Sequence, residues 1–286
     1  MKACDIFIST GGFRNLTAIL ALEKLYKAEI QSIELSGGLF DSEFENKIEV
    51  WKNRVKIQCH NYFPPPSHPF VFNLASAHLP TLEKSLNLAK TAISLTSKLG
   101  AKQYAFHAGF RFDPEVRELG EVMGSHKLYL LEEAESRFVK HVKALSAYAE
   151  GLGVQLLIEN NVLSANNLEV FGENPFLAVT PEDTFRLLTA CGDKIGLLFD
   201  VAHWKVSAKS LGLNLDSWFG FCDPLIKGYH LSDNDGYADS NQPVSRDSWF
   251  WSRIDSRKGP VTLEIYGQEL GVLMDQINIT AEMITR

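Results

Sequence analysis

Hydrophobic residues in this chain fall into two kinds of segment that alternate. Short apolar runs, several of them almost continuous, are separated by longer stretches in which apolar residues recur at helical spacing. Eight short runs stand out: Cys4–Ser9, Ser32–Ser36, Val55–Cys59, Gln103–His107, Val154–Glu159, Ile195–Asp200, Ile226–Leu231 and Val261–Ile265. Such runs suit parallel strands covered on both faces, and their alternation with helical segments predicts βα units. Among the intervening stretches, Leu16–Tyr26 carries Leu and Ala at helical spacing. Leu79–Leu99 places leucines at 82, 86, 88, 95 and 99, and Leu128–Glu150 is the longest. Thr180 followed by Pro181 predicts a cap and first-turn proline. Gly100 and Gly153 stand where helices should stop.

Eight alternations without a break in composition predict one (β/α)8 barrel, a single domain over residues 1–286. An open doubly wound sheet competes, but no G-x-G-x-x-G follows the first run, which weakens its dinucleotide-binding form. There is no internal repeat or low-complexity tract. Three long loops, 60–78 with the run Pro64-Pro65-Pro66, 108–125 and 232–251, all follow strands. They belong at the C-terminal mouth, where barrel active sites lie.

Composition changes this picture little. The chain has 286 residues, 45% of them hydrophobic, enough for one large core. With 28 basic and 35 acidic residues the formal charge is −7, which gives no long-range pull on a polyanion. Cys4, Cys59, Cys191 and Cys222 form no C-x-x-C pair, so they read as buried reduced thiols and point to a cytoplasmic location. The N-terminal residues lack the apolar core of a signal peptide. No apolar run reaches the ~18 residues of a membrane span.

The candidate chemistry sits at the strand ends. His107, Glu159 and Asp200 close the fourth, fifth and sixth runs, His230 and Glu264 lie near the ends of the seventh and eighth, and His60 follows the third. A carboxylate buried alone costs several kcal/mol, so it must be paired or ligate a metal. Glu159, Asp200 and Glu264 would converge on one mouth with no Arg or Lys in their strands, and a divalent cation is the simplest remedy. Three carboxylates with the His230 imidazole suit one Mn²⁺, Mg²⁺, Co²⁺ or Zn²⁺ ion. Glu34 ends the second run and can reach the same pocket. His60 and His107 suit substrate contact, a second metal or packing. His68 and His78 read as surface residues. Trp204, Trp249 and Trp251 suit core packing or a platform for a sugar ring. The Asp233-Asn234-Asp235-Gly236 run lacks the distal glutamate of an EF-hand.

These strand-end motifs resemble the xylose-isomerase-like barrel superfamily, which includes sugar isomerases and epimerases, inosose dehydratases and the endonuclease IV group. The resemblance spans nearly the whole chain. It rests on Ile158-Glu159-Asn160, Phe199-Asp200-Val201-Ala202-His203, His230-Leu231-Ser232-Asp233 and Leu263-Glu264-Ile265. It implies that Glu159, Asp200, His230 and Glu264 hold one divalent metal and that Glu159 and Glu264 also act as acid and base. His60, His107, His203, Glu34, Asn160 and Lys205 are then the candidate substrate contacts, although Lys205 also reads as an ordinary loop lysine.

The chain departs from its relatives at three places. Ala165 and Gly236 stand where ketose 3-epimerases carry a glutamate and an arginine. Asp239 is followed by Ser240, Asn241 and Gln242, without the histidine expected of the nucleases. The expectation is a metal-dependent isomerase or epimerase of a small carbohydrate, with no nucleic-acid or membrane partner and with room for a homo-oligomer. The alternatives are a dehydratase of the same barrel, an endonuclease IV-like phosphodiesterase on abasic DNA, and a non-catalytic sugar-binding barrel.

Overall fold

The computed structural model describes residues 5–285. Eight parallel strands close into one barrel in chain order: β1 (Ile6–Ser9), β2 (Ser32–Leu35), β3 (Lys56–His60), β4 (Gln103–His107), β5 (Gln155–Glu159), β6 (Gly196–Asp200), β7 (Ile226–Leu231) and β8 (Val261–Leu263). The helices are α1 (Ala18–Lys27), α2 (Phe44–Ile48), α3 (Leu79–Lys98), α4 (Leu131–Glu150), α5 (Ala165–Phe171), α6 (Pro181–Cys191), α7 (Val201–Leu211), α8 (Trp218–Phe221) and α9 (Leu270–Met283). None is long and apolar enough to cross a membrane.

The sequence-predicted runs and the strands agree closely, with informative shifts at their ends. β3 takes in His60, which pairs with Ala105 of β4. β8 ends at Leu263, yet the Glu264 amide still donates to the Leu231 carbonyl at 3.1 Å, so Glu264 stays in register with the barrel. The predicted cap of α6 is present: Thr180 accepts from the Asp183 amide, with Pro181 in the first turn. Cys4, placed in the first run, lies outside the described residues. Cys59, Cys191 and Cys222 are buried and free, and burial pushes each thiol up to about 12.

Side chains on a strand alternate between its faces. Outward positions such as Ile33, Cys59, Phe106, Ile158, Phe199 and Tyr229 join the helices in the main core. Inward positions stack in layers. Ala105, Leu157 and Leu198 form an apolar plug inside the barrel. Gln58 of β3 bonds Thr262 of β8 across the interior at 2.9 Å. One step further up, the topmost inward residues of β1–β7 are Ser9, Glu34, His60, His107, Glu159, Asp200 and His230, and Glu264 completes the ring just past β8. All eight are polar, and seven are buried, with only His107 half-exposed.

Barrel closure leaves no slack at the approach to β8. A Cβ on Gly259 would sit 1.8 Å from the Lys227 carbonyl oxygen. Because that neighbour is backbone, the strand itself would have to move. Gly259→Ala is therefore expected to lower stability by about 3 kcal/mol, the upper part of the overpacking range. Urea denaturation checks this, and a loss below about 0.5 kcal/mol, the ordinary surface level, would show that the β7–β8 junction yields freely.

Candidate metal centre

The polar ring is built from local sequence logic. Asp200 is both the last residue of β6 and the N-cap of α7, its side chain accepting from the His203 amide at 2.7 Å. Capping uses Oδ1 and leaves Oδ2 without a hydrogen-bond partner. Asn160, next after Glu159, locks Asp200 in place. Its Nδ2 donates to the Asp200 carbonyl at 3.0 Å and its Oδ1 accepts from the Asp200 amide at 2.9 Å.

His230 is oriented from behind. Its Nε2 faces Glu34 Oε2 at 3.2 Å. Glu34 Oε2 is fixed in turn by Gln58 at 2.7 Å and Thr262 at 3.1 Å. A carboxylate on one imidazole nitrogen presents the other as a ligand. Here that other atom, Nδ1, lies 3.2 Å from Glu159 Oε1, 3.5 Å from Glu264 Oε2 and 4.0 Å from Asp200 Oδ2.

The donor atoms of Glu159, Asp200, His230 and Glu264 all lie within 4.8 Å of one another. Glu159 Oε1, Asp200 Oδ2 and His230 Nδ1 are buried and have no hydrogen-bond partner. Orphaned polar atoms are costly in a protein interior, and three of them converging with a fourth carboxylate fit a divalent cation.

The second oxygens of the two glutamates are engaged differently. Glu159 Oε2 meets His60 Nε2 at 2.8 Å and lies 3.2 Å from His107 Nδ1. Glu264 Oε1 accepts from Ser9 Oγ at 3.2 Å and from Tyr266 Oη at 3.3 Å. Burial raises the Glu159 carboxyl, but His107, His60 and His230 outweigh it and hold the group well below the usual range. Glu264 is likewise pushed down to about 2, because His230 and His60 prevail over burial. Asp200 goes the other way, up to about 7, through burial together with the charges of Asp239 and Glu159. Burial drives His107 down to about 4. Burial raises Tyr266 well above its ordinary value, with Glu264 adding to it, so its hydroxyl keeps its proton.

His203 donates from Nδ1 to the Asn160 carbonyl at 2.8 Å and turns Nε2 to Asp239 Oδ2 at 3.3 Å. His60, Glu159 and His107 form a second group of mutually close donors.

A family model described as Xylose isomerase-like TIM barrel matches residues 23–269. The chain belongs to that family. Solved structures extend the likeness at low identity. A Thermus thermophilus protein soaked with ZnCl2 is 20% identical, with a TM-score of 0.64 over 97% of this chain and 98% of its own. A D-tagatose 3-epimerase-like protein is 17% identical, with a TM-score of 0.69 over 98% and 99%. The 3-keto-D-glucoside 4-epimerase YcjR from E. coli is 11% identical, with a TM-score of 0.67 over 99% and 100%. Among curated proteins, no sequence matches the chain.

In this xylose isomerase-like barrel, Glu34, His60, His107, Glu159, Asp200, His203, His230 and Glu264 come together as one cluster. Two other sequence candidates are committed elsewhere. Asn160 spends its amide on the Asp200 backbone, and Lys205 is held by Asp233 Oδ1 at 2.6 Å and by the Asn234 carbonyl. Trp204 and Trp251 are core residues, their indoles donating to the Leu215 and Ser245 carbonyls, while His68 and His78 are exposed. Sequence reasoning missed Ser9, Gln58, Thr262 and Tyr266. Counting back by two from His60 and Glu264 reaches Gln58 and Thr262, so the strand period held a signal for them.

A cavity of about 590 Å³ opens at the other end of the barrel, lined by Asp5, Phe7, Lys56, Lys102 and Arg257 among others. It contains none of the eight ring residues, so cavity size does not mark the chemistry here.

The Glu34 contact carries its own test. Glu34→Gln is expected to weaken divalent-metal binding by about 10–100-fold, the usual cost of losing an outer-shell partner. Competition with a chromophoric chelator measures it. An affinity within twofold of wild type would mean that His230 needs no carboxylate to present Nδ1.

Proposed function

We propose that the protein is a divalent-metal-dependent isomerase or epimerase of a small sugar or sugar derivative, working by proton transfer through Glu159 and Glu264. The observation that carries this reading is the division of labour within each glutamate. One oxygen of each belongs to the group of close donors, and the other touches residues that can take or give a hydrogen-bonded proton.

A divalent ion held by Glu159, Asp200, His230 and Glu264 would supply Lewis-acid polarisation of a bound carbonyl and its neighbouring hydroxyl. Glu159, ionised at neutral pH, accepts a proton from the acidified carbon at Oε2. His60 and His107 flank that oxygen, and His107, neutral at this pH, can receive the proton onward. Glu264 works from β8 with Oε1 between the Ser9 and Tyr266 hydroxyls. Base and acid thus come from strands on different sides of the mouth. Return of the proton to the neighbouring carbon is isomerisation, and return to the other face of the same carbon is epimerisation. Departure of a hydroxyl after abstraction is dehydration, the nearest alternative.

Two observations favour a second reading, a multi-metal phosphodiesterase acting on abasic DNA. They are the His60–His107–Glu159 group and the His203–Asp239 contact. Against it stands Gln242, whose amide donates to the Ser240 carbonyl in the segment where the nucleases are expected to place a histidine.

The test is exchange of carbon-bound hydrogen with deuterated water over a panel of ketoses, with metal content measured per chain. Exchange with one ion per chain supports the isomerase class. Two or three ions, with incision of an abasic duplex that Glu159→Ala abolishes, would replace it with the nuclease.

A further inference from the structure

Three neighbouring loops at the mouth, those after β8, β1 and β2, pack into one wall. Gly11 and Gly12 follow β1 and lie directly on Tyr266. A Cβ on Gly11 would fall 2.3 Å from the Tyr266 hydroxyl, and one on Gly12 3.2 Å from its ring. No other residue type lets the β1 loop approach so closely. A Cβ on Gly38 would come within 2.9 Å of the Leu16 carbonyl, and the Leu39 amide donates to that carbonyl at 2.9 Å, tying the β2 loop on as well. At Gly37 and Gly267 the space a Cβ would fill is open.

This packing seats Arg14. Its guanidinium lies over the Tyr266 ring, 5.5 Å from the centroid, while the hydroxyl of the same ring touches Glu264. Arg14 is exposed, and among the described residues no carboxylate forms an ion pair with it. Three other cations are engaged: Arg111 with Glu173, Lys205 with Asp233, and Lys209 over Tyr237. One tyrosine ring therefore separates a carboxylate-rich reaction centre from an available arginine fork.

We propose that Arg14, seated on Tyr266, is the subsite for an anionic group, phosphate or carboxylate, at the far end of the substrate. A guanidinium presents a planar set of donors that matches either anion in bidentate fashion. The aromatic seat restrains it in advance. The wall also offers a grip independent of positions 165 and 236, which are Ala and Gly in this chain. The proposal rests on the isomerase reading for the identity of the substrate's reacting end, but the subsite can be measured without turnover.

The experiment begins with EDTA-stripped protein, so that no metal holds the probe. Inorganic phosphate is titrated by ³¹P NMR into wild type, Arg14→Gln, Tyr266→Ala and Tyr266→Phe, each first checked for native circular dichroism. Wild type and Tyr266→Phe, which keeps the ring, should bind. Arg14→Gln and Tyr266→Ala should bind at least about tenfold more weakly, the cost of one charge-assisted contact.

Metal-loaded protein is then titrated with fructose, fructose 6-phosphate and fructuronate. One of the two anionic sugars should bind at least about tenfold better than fructose, and which one does so assigns phosphate or carboxylate. That preference should vanish in Arg14→Gln. No preference in wild type, or a preference that survives Arg14→Gln, overturns the proposal. A preference that depends on Arg14 without hydrogen exchange on any ketose keeps the subsite and removes the isomerase reading instead.

Discussion

Glu264→Gln is expected to retain metal and to lose ~10²–10⁴ in turnover, the range for removal of a general base or acid. The structure gives the physical reason. Oε2 belongs to the donor group, and an amide oxygen can replace it as a weaker ligand. Oε1 sits between two hydroxyls, and the amide nitrogen that would take its place cannot accept a proton. Glu159→Gln should fall as far, but with a second consequence. His60 and His107 both face its Oε2, so the substitution leaves two imidazoles, one of them buried, without their carboxylate. Turnover, metal content and deuterium incorporation from solvent, measured together on one ketose, separate the cases. Near-normal turnover of Glu264→Gln at full metal content, with no solvent hydrogen entering the product of wild type, would leave the glutamates as ligands only and point to direct hydride shift.

The second large effect is on metal affinity as a function of pH. Without metal, the Asp200 carboxyl is pushed up to about 7 by burial and by its carboxylate neighbours. Burial would lower His230, but Glu34, Glu264 and Glu159 hold it well above its ordinary value. Below pH 7 both ligand groups therefore carry a proton that the cation must expel. Affinity rises with pH by one log unit per pH unit for each proton displaced. The expected slope is thus about two below pH 7 and about one above it, until His230 itself has titrated. Calorimetry in buffers of different ionisation enthalpy counts the protons directly. Asp200→Asn should lower the slope below pH 7 by about one, besides weakening binding. A flat affinity between pH 5.5 and 7.5 would mean that neither group gives up a proton to the cation. Saturating metal should also raise the unfolding free energy, by about 2.7 kcal/mol at one hundred times its dissociation constant.

The barrel was legible because several of its strands are apolar on both faces and its helices on one, so period separates the two kinds of element. The candidate ligands were legible for the opposite reason. Glu159, Asp200 and Glu264 are charges at the ends of apolar runs, and a charge there needs an explanation. Ser9, Gln58 and Thr262 drew no attention because a hydroxyl or amide in a strand satisfies itself in many ways, and only the folded barrel brings Ser9 to Glu264 and Gln58 to Glu34. Tyr266 was hidden because its importance depends on Gly11, from the other end of the chain. Asn160 and Lys205 are the reverse case. Each is near a ligand in sequence, but nearness along a strand end or helix does not say where a side chain points. Asn160 turns to the Asp200 backbone and Lys205 to the loop after β7.

The ring of strand-end residues also divides by chain halves. All four candidate ligands come from β5 to β8. Ser9, Glu34, His60 and His107, from β1 to β4, each touch one of those ligands: Glu264, His230, Glu159 and Glu159 again. In the proposed reading the later half would hold the cation, and the earlier half would set the protonation and orientation of what holds it. Substitutions in the first half can retune or redirect the chemistry while the coordinating atoms stay in place. The two roles are inherited along separate stretches of sequence and meet only when β1 closes on β8.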